Sequence, residues 1–214
     1  MKKSISYLSR RFLPLEVFSK GLDEQARYSA IWFSRDGELL TYFYGYRNAS
    51  KILIKWFVDS RGDNGTVYPL IFLIRHTIEL GLKEIIRLSS VIKLKPNLPK
   101  EKMNKFWSEV WEVHNLKVLS SKCNELLKEF NLEKYTQWEE ALEFLEKWQM
   151  VDEGNTFGRY PVLNDGSAYD VKDNVYAGKI VEVGILAFEA IENILSMMND
   201  LKDEYDKMLG DLLL

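Results

Sequence analysis

The stretch YPLIFLIRHTIELGLKEIIRLSSVI, residues 68–92, decides how the rest of the chain is read. Stepped at 100° per residue, it gathers Leu70, Ile71, Ile74, Ile78, Gly81, Leu82 and Ile85 into one apolar stripe. Arg75, Glu79 and Lys83 recur every four residues on the opposite side, with His76 and Arg87 beside them. Such a ladder is what a solvated helix face carries, each pair worth about 0.2–0.5 kcal/mol. Yet Phe72 and Ile86 fall within the same polar side, and Leu73 and Leu80 border it. A charged stripe edged this way also fits a cleft wall or a covered groove, where Arg and His need partners because an unpaired buried charge is very costly. Pro69 falls in the first turn of this helix, where a missing N–H costs nothing.

Working outward, helical spacing predicts helices over 22–34 and 38–60, the second ending at the turn signal Ser60-Arg61-Gly62-Asp63-Asn64-Gly65. The Arg-Gly-Asp tripeptide in that loop is read as turn chemistry. Beyond Pro96 and Pro99 a helix covers KEKMNKFWSEVWEV (100–113), interrupted at His114-Asn115. Asn115 has the chemistry of an N-cap for the next helix, 116–130, and another helix follows over 135–149. Residues 157–172 differ in kind: the pieces RYPVL and SAYDV flank Asn164-Asp165-Gly166 and predict a small β-hairpin. A long C-terminal helix is expected over 174–209. Its Ala187, Ile191, Ile194, Met198, Leu201, Tyr205 and Met208 alternate spacings of four and three, a heptad-type seam that serves either packing within the domain or a homodimer. The whole is expected to be one mostly α domain over 1–214, a helical bundle with that one hairpin, its first ~20 residues loosely ordered.

Composition narrows the function classes. The 46% hydrophobic content is that of a globular chain, and 6 Trp, 11 Tyr and 11 Phe supply a large core. A net charge of −3 gives no general attraction to nucleic acid, so any such contact needs a local basic patch. The N-terminal cations Lys2, Lys3, Arg10, Arg11 and Lys20 are read as a fluctuating basic terminus. One cysteine, Cys123, excludes an internal disulfide and suits a reducing cytoplasm. The longest apolar run, Tyr68 to Ile74, is far short of a membrane span, and no signal-peptide core follows the basic start. The expectation is a soluble cytoplasmic protein without a membrane partner.

Nucleotide P-loops, dinucleotide fingerprints and nucleophile elbows are missing from the sequence. One Cys and two distant His leave too few ligands for zinc, so no metal and no cofactor is expected. Cys123 sits on an apolar-rich helix and is read as core. What remains is the polar side of 68–92 and the residues able to meet it. His114 stands at a helix start, where free N–H groups attract anions. Arg159 and Tyr160, at the base of the expected hairpin, add a cation and a hydroxyl. Arg75, His76, Glu79, Lys83, His114, Arg159 and Tyr160 are therefore the candidate site. Together they suit a phosphate or carboxylate ligand. Two histidines with arginines also meet the minimum for metal-independent phosphodiester cleavage, one imidazole as base and a cation on the developing charge.

The segments YPLIFLIRHTIELGLKEI (68–85), HNLKVL (114–119) and TFGRYPV (156–162) resemble a group of uncharacterised bacterial and phage helical proteins. Those carry an Arg-His-x-x-Glu-Leu-x-Leu-Lys helix, a downstream His-x-Leu and a late Phe-Arg-Tyr-Pro segment. More distantly the arrangement is similar to HEPN-like helical bundles. That resemblance implies an up-down bundle, often dimeric, and in some branches a metal-independent ribonuclease acting as a toxin or phage-defence effector. Here it would make His76 and His114 the acid–base pair and Arg75 and Arg159 the phosphate holders. Arg75 and His76 are adjacent, whereas catalytic HEPN proteins separate Arg and His by four to six residues. Two functions are thus carried forward: a helical module binding an anion or a partner, and a HEPN-like ribonuclease.

Overall fold

A computed structural model describes residues 39–60, 64–94, 108–151 and 177–212, all within one compact unit, Glu38–Leu214. Among the described residues the chain is overwhelmingly helical and has no strand. Five helices form the scaffold among the described residues: α1 (Leu39–Asp59), α2 (Asn64–Leu94), α3 (Leu116–Glu129), α4 (Thr136–Val151) and α5 (Ala177–Leu212). The expected helix at 22–34 and the β-hairpin at 157–172 lie outside the described residues.

Helix α2 is the axle of the bundle. It packs along α5 and α1 and also against α3, while α4 closes on α5 and α3. From Leu70 to Ser90 every residue is buried except Phe72, Leu73, His76 and Arg87, which are half-buried. The apolar stripe read from the sequence meets Phe43 of α1 and Ala187, Phe188, Ile191, Ile194 and Leu195 of α5 in one continuous core. Two glycines set how closely the helices approach. A Cβ at Gly81 would lie 2.5 Å from Ile191 Cγ2 and 2.9 Å from Phe43 Cε2, and one at Gly184 would lie 2.7 Å from Ile74 Cγ2. Any larger residue would push α2 and α5 apart.

Helix α2 begins earlier than the sequence predicts. Asn64 and Gly65, which read as a turn, form its first turn, and Pro69 falls inside the helix on its exposed side. First-turn N–H groups have no intrahelical acceptor in any case, so weak helix formers are tolerated there. The start of α3 follows expectation: Asn115 is extended (φ −79°, ψ 114°), and its side-chain oxygen accepts the Val118 N–H at 3.0 Å. At the other end Asn131 adopts φ 58°. The Leu132 N–H donates to the Leu127 carbonyl at 3.0 Å and the Asn131 N–H to that of Lys128 at 3.2 Å. This is a Schellman closure, and it turns the chain sharply into α4. Trp138 of α4 is wholly buried, with Nε1 donating to Asn124 Oδ1 at 3.3 Å.

In α5 the heptad-type seam divides. Ala187, Ile191, Ile194 and Met198 are fully buried in the core of the chain itself, Leu201 and Tyr205 are half-buried, and Met208 is exposed. No helix among the described residues is long and apolar enough to cross a membrane.

Candidate functional site

Because α1, α3 and α5 surround α2, its polar ladder has nowhere to reach bulk water. Arg75 is 0% exposed, and Glu79 and Lys83 are 2% exposed. The solvated-face reading of these three residues is thereby set aside in favour of the covered groove. Among the described residues, the chain entering α3 lies over them, with residues 108–111 a helical turn and 113–115 a link outside regular secondary structure.

Glu79 is the hub. Its Oε2 accepts from Arg75 Nη1 at 3.0 Å, and its Oε1 accepts from Lys83 Nζ at 2.9 Å. The same Oε1 lies 2.8 Å from His114 Nδ1. The two cations also fasten the covering link: Arg75 Nη2 donates to the His114 carbonyl at 2.6 Å and Lys83 Nζ to the Trp111 carbonyl at 2.9 Å. Lys83 Nζ lies in addition 5.3 Å from the centroid of the Trp111 ring, within the range of a cation–π contact. Burial pushes the Glu79 carboxyl up. The hydrogen bond and charge of Lys83, the hydrogen bond of His114 and the charge of Arg75 outweigh it, and the group is held below its ordinary value.

Among the described residues two cations, Arg75 and Lys83, converge on the one carboxylate of Glu79, in surroundings where water screens poorly. Its outer face is the pair of rings on the link. The His114 side chain is half exposed and Trp111 is 49% exposed. With Nδ1 turned to a carboxylate, the imidazole carries its proton on that nitrogen when neutral, and Nε2 is left for exchange with a ligand. Nε2 then accepts when the ring is neutral and donates when it is protonated.

The structure thus brings Arg75, Glu79, Lys83 and His114 together. His76 packs edge-on to Tyr46 of α1 (centroids 4.5 Å) and stacks on Phe72 (5.6 Å). Arg159 and Tyr160 lie outside the described residues. Arg87 pairs with the buried Glu84, Nε and Nη2 donating at 2.6 and 2.7 Å. Trp111 is the site residue that sequence reading passed over. It sits inside a helical pattern where an aromatic reads as packing, and only its nearness to the His114-Asn115 break hinted otherwise. Cys123 is buried with Sγ 3.2 Å from the Leu82 carbonyl, and burial drives its thiol far up, as suits a core residue. Among the described residues no three His, Cys, Asp or Glu side chains gather as metal ligands.

The chain matches no protein-family model, no curated protein and no solved structure.

Proposed function

We propose that this protein is a helical module that binds an anionic group at the link between residues 111 and 115. One observation carries the reading: the half-exposed His114 imidazole is fixed from behind, its Nδ1 on buried Glu79 and its carbonyl on buried Arg75. Arg75 and Lys83 are engaged inside and do not touch the ligand. They hold the link in place, while the protonated form of His114 donates its Nε2–H to the anion, and the N-terminal end of α3 adds to the attraction. Titrating the protein with inorganic phosphate, followed by NMR through the backbone amides of residues 111–116, tests this. Saturable shifts that vanish in His114→Ala are expected; shifts that persist in that variant, or none in the wild type, overturn it.

The Glu79–His114 contact favours a second reading, the HEPN-like, metal-independent ribonuclease of a toxin or phage-defence system. A carboxylate at Nδ1 orients an imidazole for proton transfer at Nε2. In this reading His114 is the acid–base group and Arg75 acts through the link it anchors. His76, which packs against Tyr46 and Phe72, would be the second acid–base group. RNA incubated without metal would be cleaved by wild type and left intact by His114→Ala. Inertness of the folded wild type sinks the activity.

A homodimer through the C-terminal helix would have to use its far end, Leu201, Tyr205 and Met208, since the earlier seam positions are consumed inside the chain. Light scattering at tens of micromolar decides it, a monomer excluding the dimer.

A further inference from the structure

We propose that the outer face of α1 is a self-association surface, on which α1 of a second copy of this chain docks antiparallel. The inference starts from a glycine that the fold leaves unexplained. A Cβ at Gly45 would have nothing within 4 Å, whereas the missing side chains of Gly81 and Gly184 make room for Ile191, Phe43 and Ile74. Glycine inside a helix is destabilising by about 0.5–1 kcal/mol relative to alanine. Among the described residues no close approach offsets that cost at Gly45, and the space it leaves opens outward.

Gly45 belongs to a row. Tyr42, Gly45, Ala49, Ile52, Trp56 and Asp59 alternate spacings of three and four along α1, and all six are exposed. Phe43, Ser50, Ile54 and Phe57 meanwhile bury the opposite side of the helix. Ile52 is 72% exposed, Tyr42 48% and Trp56 47%. Apolar residues exposed singly are ordinary, but a row in heptad register is how one helix meets another.

The row is complementary to itself. Laid antiparallel on a copy, it sets Ala49 against Ile52, Gly45 against Trp56 and Tyr42 against Asp59, each pair twice by symmetry. Every large apolar side chain then meets a small one, the indole enters the gap at the glycine, and the Tyr42 hydroxyl can donate to the Asp59 carboxylate. Shifting one copy by a heptad either way sets Ile52 on Trp56 or Gly45 on Ala49, which crowds the seam or leaves it empty. Lys51 and Lys55 stand to one side of the row, so no cation is buried in it.

Area decides how strong such a pair can be. Aromatic side chains carry about 150–250 Å² each, so the exposed halves of Tyr42 and Trp56, together with Ile52, offer roughly 300 Å² of apolar surface per copy. At the ~60% apolar share usual in interfaces, this corresponds to about 500 Å² per copy and about 1,000 Å² for the pair. That is the floor for specific association, and a dissociation constant on the order of 10–100 μM follows. The proposal does not depend on the anion site.

Sedimentation equilibrium of the full chain from about 5 to 500 μM, a range that spans the expected constant, tests it. The average mass should rise from one chain toward two. Ile52→Glu should stay monomeric throughout, whereas Met208→Glu, on the far end of α5, should change nothing. Gly45→Met should weaken the pair at least about tenfold by filling the gap, and adding Trp56→Ala in the same chain should recover part of the loss. Positions 45 and 56 are about 16 Å apart along one helix, so that recovery arises only between chains. Circular dichroism checks that every variant keeps its helix content. A wild type that is monomeric over the whole range overturns the proposal. So does a dimer that Ile52→Glu leaves intact; if Met208→Glu breaks it instead, the dimer face is on α5. A dimer indifferent to Gly45→Met, or one that Trp56→Ala does not help to recover, overturns the antiparallel pairing.

Discussion

Replacing Glu79 by leucine removes the carboxylate that both Arg75 and Lys83 engage and leaves those two cations in place. Both cations keep a backbone carbonyl, Arg75 that of His114 and Lys83 that of Trp111. Neither carbonyl carries a net charge. At an effective dielectric of about 20, each lost ion pair at this range is worth roughly 4 kcal/mol before relaxation. Removing one partner of a buried pair costs about 3–5 kcal/mol in practice, because the remaining charge is left uncompensated. Against a total stability of about 5–15 kcal/mol, that loss brings Glu79→Leu close to unfolding. The informative companion is the uncharged triple variant, Arg75→Met, Glu79→Leu and Lys83→Met. It strands no charge, so it should recover at least half of the single variant's loss, although the two carbonyls lose their donors. Urea denaturation, read from the midpoint at unchanged slope, measures both. A Glu79→Leu cost below about 1 kcal/mol would mean that the ladder is solvated after all. A triple variant no more stable than the single would show that stranded charge is not the cause.

Other expectations follow from the same contacts. Glu79 is held below its ordinary value of 4.5, so the unfolded chain binds more protons than the native one just below that pH. The stability Glu79 contributes is therefore present above 4.5 and lost as pH falls through the depressed native value; in Glu79→Gln this part of the acid slope should flatten in urea titrations at stepped pH. Gly81→Ala should cost about 1–3 kcal/mol through overpacking against Ile191 and Phe43. Gly45→Ala on α1, with nothing within 4 Å of the added Cβ, should gain up to about 1 kcal/mol from helix propensity. Equal urea midpoints for these two variants would refute the close α2–α5 approach. Asn131, at φ 58°, should tolerate glycine but lose about 1–2 kcal/mol on change to alanine. A thermal melt that ranks alanine above glycine there would contradict the Schellman closure.

Much of the bundle could be read from the sequence because it is written in local periodicity. The spans of α1, α3, α4 and α5, the apolar stripe of α2 and the Asn115 cap each depend on residues within one or two turns of one another, and these agree closely with the structure. The start of α2 at Asn64 was missed because turn formers at a helix's first turn give the same signal as a loop. The seam of α5 was ambiguous because a heptad pattern says that a face is covered and not by which chain; α2 and its neighbours cover most of it. The site divides in the same way. The four-residue ladder of Arg75, Glu79 and Lys83 was visible, and so was His114 as a histidine beside a helix start. Whether the ladder faced water depended on a segment about 35 residues away folding over it, with backbone carbonyls of Trp111 and His114 as acceptors. Carbonyls carry no residue signature, and a helical wheel shows only which side chains share a face. Charge type and spacing were therefore set by the sequence, while burial, partner choice and the exposed imidazole–indole edge were decided by tertiary packing, since only the folded chain brings distant segments into contact.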